Sequence, residues 1–356
     1  MAEGSIFRDM AIAAGIGLAG AYLVNRFGPG QESAREAAFA EKSASRTQAG
    51  SGADQPTGIP ARGWMDILRR TYHEMNRDRV PAVAAGVTFY ALLALFPALT
   101  AFVSIYGLVA EPATIGEQLA MADGFLPAGS TDFLREQVGR ITSAGEAKLG
   151  LAFLISVGLA TWSANAGVKA IFDALNVAYG EDEKRGFFKL NAISLFFTLA
   201  ILVFIVLAIT GIAAIPVLLD AVALGGATEW LLWLGRWPLL ILVLMLGLSV
   251  LYRFGPSRDD ARWAWVSPGA LFASIGWLAG SLAFSWYVAN FEDYNKTYGA
   301  IGAVIGLLTW MWLSAIIILL GAELNSEAER QTDRDTTVGT PMPIGLRGAD
   351  AADNKR

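Results

Sequence analysis

Asn165, Lys169, Asp173 and Asn176 follow one another at steps of four, four and three residues in an otherwise mostly apolar stretch. On a helix that spacing gathers all four within about 80° of one face. An amine, a carboxylate and two amides on one stripe can hydrate a path through a helix bundle, because charges at membrane depth face a bundle interior or water rather than lipid. The same spacing also suits a helix end leaving the membrane, with Lys169 and Asp173 as an i, i+4 pair. The residues alone leave both readings open. A second polar string, Tyr294, Asn295, Lys296, Thr297 and Tyr298, lies between two apolar stretches and is too polar and aromatic to be only a spacer. Tyr294, Asn295 and Tyr298, with Arg236, Arg253 and Glu323 at the borders of other apolar stretches, form the candidate headgroup or gate contacts.

Patterns for bond-making chemistry are missing. The chain has no HExxH, no Walker sequence, no Gly-x-Ser-x-Gly and no dinucleotide fingerprint. It has no cysteine, and His73 is its single histidine, so neither a thiol nucleophile nor a His- or Cys-rich metal site can be assembled. Glu181, Asp182 and Glu183, like Glu292 and Asp293, sit beside Lys or Arg and read as solvated loops. No catalytic residue, metal or cofactor is expected, and no segment supplies an ATPase. A net charge of −5 and an isoelectric point near 5.1 argue against a nucleic-acid partner, whose phosphates would call for clustered Lys and Arg.

The elements that must carry these residues are membrane helices. Of 356 residues, 54% are hydrophobic and only 17% charged, with a mean hydropathy of +0.45, whereas soluble domains carry about 25% charged residues. Six windows, 82–110, 149–168, 190–219, 237–252, 263–291 and 297–322, contain no acidic or basic residue. A bilayer core of roughly 30 Å needs about 20 apolar residues, so five windows can span. The fourth is extended by Trp230 to Leu234, with Arg236 snorkelling to the interface. An all-α bundle of six core spans is therefore expected. With alternating spans, one side carries seventeen Lys and Arg and the other five. The positive excess marks the cytoplasmic side, placing both ends of the core inside a bacterial inner membrane.

Three regions follow. Residues 1–60 hold a short apolar run at 10–24, either an additional membrane segment or an interfacial one, and a Gly-, Ser- and Pro-rich flexible linker. Residues 61–328 are the membrane domain. Residues 329–356 read as a disordered cytoplasmic tail. Ahead of the first span, Ile67, Leu68, Tyr72 and Met75 recur at helical spacing opposite Asp66, Arg69, Arg70, His73 and Arg77. This is the pattern of an amphipathic helix lying on the membrane. Residues 111–148 should form short external helices over the bundle. Pro97 should kink the first span. The pairs Gly276/Gly280 and Gly302/Gly306 allow close helix approach within the bundle.

Several strings then become recognisable: residues 84–97 (AAGVTFYALLALFP), 161–179 (TWSANAGVKAIFDALNVAY), 236–256 (RWPLLILVLMLGLSVLYRFGP), 265–269 (WVSPG), 284–302 (FSWYVANFEDYNKTYGAIG) and 321–325 (GAELN). In this order they resemble the YihY/BrkB family of bacterial inner-membrane proteins across almost all of residues 62–330. The resemblance implies a six-helix core. It also implies a transporter or export role linked to envelope lipid or lipopolysaccharide, and the motif proline and glycine at Pro268 and Gly269 suit a helix start. The family has also carried the labels of serum-resistance factor and transfer-RNA-processing ribonuclease, and the residues oppose the latter, since neither a ligand cluster nor a histidine beside a basic path is present. Expected partners are membrane lipids and envelope-assembly proteins, with no nucleic acid; oligomeric state is not legible. The favoured function is movement of an amphipathic envelope molecule, and the alternative is a non-transporting scaffold for envelope assembly.

Overall fold

The computed structural model describes residues 51–106, 151–222, 226–290 and 300–355. The expectations for residues 10–24, for residues 111–148 and for Tyr294, Asn295 and Tyr298 lie outside these. Every described residue belongs to one compact unit, Gly50–Lys355.

Long uncharged windows leave the backbone no solvent to bond, so they close their hydrogen bonds internally as helices. The described residues contain α1 (Ala61–Arg77), α2 (Val80–Tyr106), α3 (Leu151–Tyr179), α4 (Phe187–Val222), α5 (Gly226–Phe254), α6 (Trp263–Asn290), α7 (Ala300–Arg330) and a last turn, α8 (Asp350–Asp353). No strand occurs among them. Four stretches, Phe187–Ile205, Trp237–Phe254, Trp263–Tyr287 and Val304–Arg330, are long and apolar enough to cross a membrane, and α1 with the first part of α2 makes a fifth if that bent pair is one span. Among the described residues, length and hydropathy thus mark four or five of the expected six spans. Only 17–28% of each spanning window is buried within the protein. Side chains such as Phe196, Leu242 and Trp286 are exposed, far more apolar surface than a water-soluble monomer presents.

The helix order is set by packing. α2 pairs with α3 and α6 with α7, while α7 also touches α1, α2 and α3. α4 leans on α3 and α5 on α6, and among the described residues α4 and α5 share no more than marginal contact. Leu251 of α5 nevertheless packs on the α3–α4 cluster of Val168, Phe172 and Phe197. The tightest seam of the bundle is the α6–α7 crossing, where a Cβ on Gly269 would lie 1.9 Å from the Gly321 carbonyl oxygen. The separated motifs WVSPG and GAELN thus form one contact. Asn325 completes it, accepting from the Gly269 amide (2.7 Å) and donating to the Val266 carbonyl (3.0 Å) beside the proline that lacks a donor. Pro268 lies inside α6 rather than at its start. Gly276 and Gly280 both face Ile317 of α7, an intramolecular packing role. Pro97 likewise lies inside α2.

α1 differs from its expected pose. Ile67 is buried against Trp265 and Leu324, but Arg70 of the expected polar face is buried too, with Thr71 and Glu74, while Met65, Leu68 and Tyr72 are exposed to the surroundings. Arg70 decides this by donating to Glu327 and Gln331 of the α7 end, both at 2.6 Å. The chain then turns by 62° into α2, through Arg79 at φ 51°.

The segments assigned to one side by charge converge on one end of the bundle. Lys184 N donates to Ser257 Oγ (2.8 Å), Arg258 pairs with Glu329 (2.8 Å), Arg262 N donates to the Thr336 carbonyl (2.9 Å) and Asp350 N to Glu181 (2.6 Å). The tail expected to be disordered is part of this end. Arg347 donates to the carbonyls of Asp333, Arg334, Met342 and Ala352, and Ala349, Ala351 and Ala352 are buried. Burial raises the Asp335 carboxyl, but hydrogen bonds from Met342 N and Thr337 and the nearby Arg347 outweigh it and hold it below the usual range. Residues at the end of the expected linker are also packed. Ser51 and Ala53 carbonyls accept from Asp333 N and Thr332 Oγ1, and Pro56 and Ile59 are buried. Both segments lack an apolar run; the tail is tied by polar bonds to nearby backbone and the linker end by bonds to the tail and by Ile59, none of which hydropathy reveals.

Candidate functional site

The four-residue stripe of α3 is divided among three surroundings. Asn165 is fully buried and its Oδ1 accepts from Thr198 of α4 (3.2 Å), while its Nδ2 has no hydrogen-bond partner. One turn on, Lys169 donates to Asn191 of α4 and lies 5.4 Å from the Trp162 ring centre. It therefore serves the α3–α4 contact in place of the expected pair with Asp173, which is exposed. Asn176 works at the helix end, donating to Glu183 (3.2 Å) and accepting from the Ser257 amide (2.7 Å). That end is closed by Gly180 at φ 68°, with Glu181 N reaching back to the Asn176 carbonyl, a Schellman turn that needs the left-handed residue. Thr161, Asn165 and Lys169 thus face Asn191, Ser194 and Thr198 as a polar seam. Two of its buried atoms, Thr161 Oγ1 and Asn165 Nδ2, have no hydrogen-bond partner among the described residues.

Glu323 is 1% exposed in α7, with one carboxylate oxygen unpaired, and it interacts with Asp78, Glu327, Glu74 and Arg330. Arg253 sits over the Trp263 ring at 4.5 Å and 3.9 Å from Asp260, the amphipathic pose of an interfacial arginine. Arg236 lies in α5, but its side chain, like Tyr294, Asn295 and Tyr298, is outside the described residues. The structure therefore groups Asn165 with Lys169, and leaves Arg253 and Glu323 apart from them.

Between the first turns of α4 and the end of α5 lies a cleft of about 710 Å³. One wall is the α3–α4 loop and the first turns of α4, with Lys184, Arg185, Lys189, Ile193 and Phe196; the other is the end of α5 and its following loop, with Val250, Phe254, Arg258, Asp259 and Asp260. Apolar walls thus rise from a charged floor. Arg185 is committed to Glu183 and to the Phe254 and Gly255 carbonyls. Partial burial raises the Glu183 carboxyl, but hydrogen bonds from Arg185 and Asn176 overcome this and hold it at about 2. Arg258 is fully buried against Glu329. A second cavity of about 180 Å³, between α2, α3 and α7, is lined by Val87, Ala91, Ile171, Ala174, Trp310 and Leu319 among others. Neither cleft includes a residue of the stripe. Among the described residues no three His, Cys, Asp or Glu side chains converge as a metal site.

The cleft escaped sequence reasoning because its walls come from α4 and α5, whose gap is a property of packing. Its one legible signal was the cluster Lys184, Arg185 and Lys189 ahead of an apolar run.

Comparison with known proteins agrees with this architecture. The profile of the family described as Virulence factor BrkB matches residues 71–343. The chain is 32% identical over 269 residues to a protein of Bacillus subtilis named for its likeness to ribonucleases, YfkH, covering 74% of this chain and 94% of that protein. It is 29% identical over 266 residues to a UPF0761 membrane protein of Vibrio campbellii, covering 71% and 78%. A UPF0761 membrane protein of Neisseria meningitidis serogroup B is 29% identical over 281 residues, covering 75% of this chain and 63% of its own length. No solved structure matches.

Proposed function

The chain belongs to the BrkB virulence-factor family of membrane proteins, and from that premise we propose that it binds an amphipathic envelope molecule, of lipid or lipopolysaccharide type, and helps move it across a bacterial inner membrane. In this reading α2 to α7 are six spans and the charged end is cytoplasmic, as the seventeen-to-five bias of Lys and Arg supports. The observation that carries the reading is the lateral cleft. A gap between α4 and α5 with apolar sides and a charged floor accepts a molecule that has both a tail and a polar head, and admits it from the bilayer plane. Behind the cleft, the other face of α4 forms the polar seam with Asn165 and Lys169. Its unpaired buried groups supply donors and acceptors for a headgroup in passage. Asp173, Asn176, Arg236, Arg253, Tyr294, Asn295, Tyr298 and Glu323 belong to the proposed path or its gates. The ribonuclease-like name of the Bacillus protein is not extended to this chain, which we propose is not an enzyme.

A chain without cysteine makes the test direct. Phe196→Cys places one thiol in the cleft, and a bulky maleimide on it should stop movement of a fluorescent phospholipid in proteoliposomes while leaving the unmodified variant active. Equal rates before and after modification would reject the cleft as the route. The scaffold reading is favoured by one feature, the small and mostly apolar cavity between α2, α3 and α7. It requires that no lipid movement be detected with any headgroup.

A further inference from the structure

The charges that line the α4–α5 cleft are segregated. On the α4 side, Lys189 has no ion pair or hydrogen bond among the described residues, and Lys184 reaches Glu181 while its side chain stays 58% exposed. On the opposite side, Asp259 is exposed and Asp260 is half exposed, held only by the long contact to Arg253. The two arginines of the floor are neutralised by Glu183 and Glu329. What remains accessible is a cationic wall facing an anionic one, with Phe196 and Val250 rising beside them. A purely anionic headgroup would satisfy the lysines and be repelled by the aspartates.

We infer that this cleft holds the headgroup of a zwitterionic phospholipid, with its phosphate at Lys184 and Lys189, its ammonium at Asp259 and Asp260, and its acyl chains between α4 and α5. The inference rests on the lateral-cleft reading and names the lipid class. Each exposed charge pair contributes modestly, so selectivity comes from the two ends together and should amount to roughly fivefold.

The test uses the full chain, delipidated in a neutral detergent, with phosphatidylethanolamine, phosphatidylcholine, phosphatidylglycerol or inorganic phosphate added at equal concentration and adducts counted by native mass spectrometry. Both zwitterionic lipids should be retained about fivefold over phosphatidylglycerol. Asp259→Lys should reverse the order, and the milder Asp259→Asn should level it. Lys189→Glu should weaken retention of both zwitterionic lipids. These residues are exposed, so the variants should keep the parent's elution profile. Equal retention of phosphatidylglycerol and phosphatidylethanolamine by the parent chain, or displacement of the lipid by inorganic phosphate, would overturn the inference. If selectivity holds and no lipid crosses proteoliposomes, the movement reading fails and this site stands.

Discussion

Replacing either partner of the Arg258–Glu329 pair should be far more damaging than replacing both. Both side chains are fully buried, at 0% exposure. The guanidinium lies 4.7 Å from the Tyr179 ring centre, and Glu329 also accepts from Thr336 Oγ1 at 2.7 Å. Glu329→Gln keeps the shape and can keep the Thr336 bond, but it removes the carboxylate paired with Arg258 and leaves the buried cation with an aromatic face and the weaker field of Glu181. Arg258→Met leaves a buried carboxylate with one hydroxyl donor. Removing one partner of a buried pair costs about 3 to 5 kcal/mol, whereas apolar replacement of both is often neutral. The double variant Arg258→Met with Glu329→Leu still loses the Thr336 bond, worth about 1 kcal/mol, so it should cost about 1 to 2 kcal/mol. The coupling in the double-mutant cycle should exceed about 3 kcal/mol. Equilibrium unfolding in mixed micelles, followed by fluorescence of the 11 tryptophans, measures all four proteins. Additive losses, or single variants within about 1 kcal/mol of the parent, would refute the reasoning.

Two further outcomes are expected. Gly321→Ala places a Cβ 2.4 Å from the Tyr252 hydroxyl and 2.7 Å from the Gly269 carbonyl oxygen, so it should destabilise by about 1 to 3 kcal/mol, while Gly306→Ala, which meets nothing within 4 Å, should not; thermal denaturation distinguishes them. Glu183 titrates at about 2 in the folded chain against 4.5 for the free group, so its stabilisation is present above pH 4.5 and is lost as pH falls through that interval toward 2; Glu183→Gln should flatten stability across that window in pH-dependent unfolding.

Hydropathy and the distribution of charge determined much of this protein, because lipid imposes the same requirement on every residue of a span. The helices, their approximate limits and the family resemblance were legible in the uncharged windows and in motifs such as WVSPG and GAELN. The pattern of Lys and Arg also told which loops share an end, since the contacts Arg70–Glu327 and Arg258–Glu329 join segments placed together by charge alone. Spacing could not tell whether Lys169 would turn to Asp173 or away from it. That was decided by Asn191, 22 residues later in sequence but adjacent across the α3–α4 contact. The amphipathic pattern of α1 was read correctly as a helix, but the burial of Arg70 on its polar face was not legible, because the partners that draw it inward lie 257 and 261 residues away. The same holds for the packed tail, whose order comes from Arg347 and Asp335 bonding nearby backbone, without any apolar periodicity. The cleft depends most completely on the fold. It exists because α4 packs mainly on α3 and α5 mainly on α6, and a space between helices has no residue of its own to announce it.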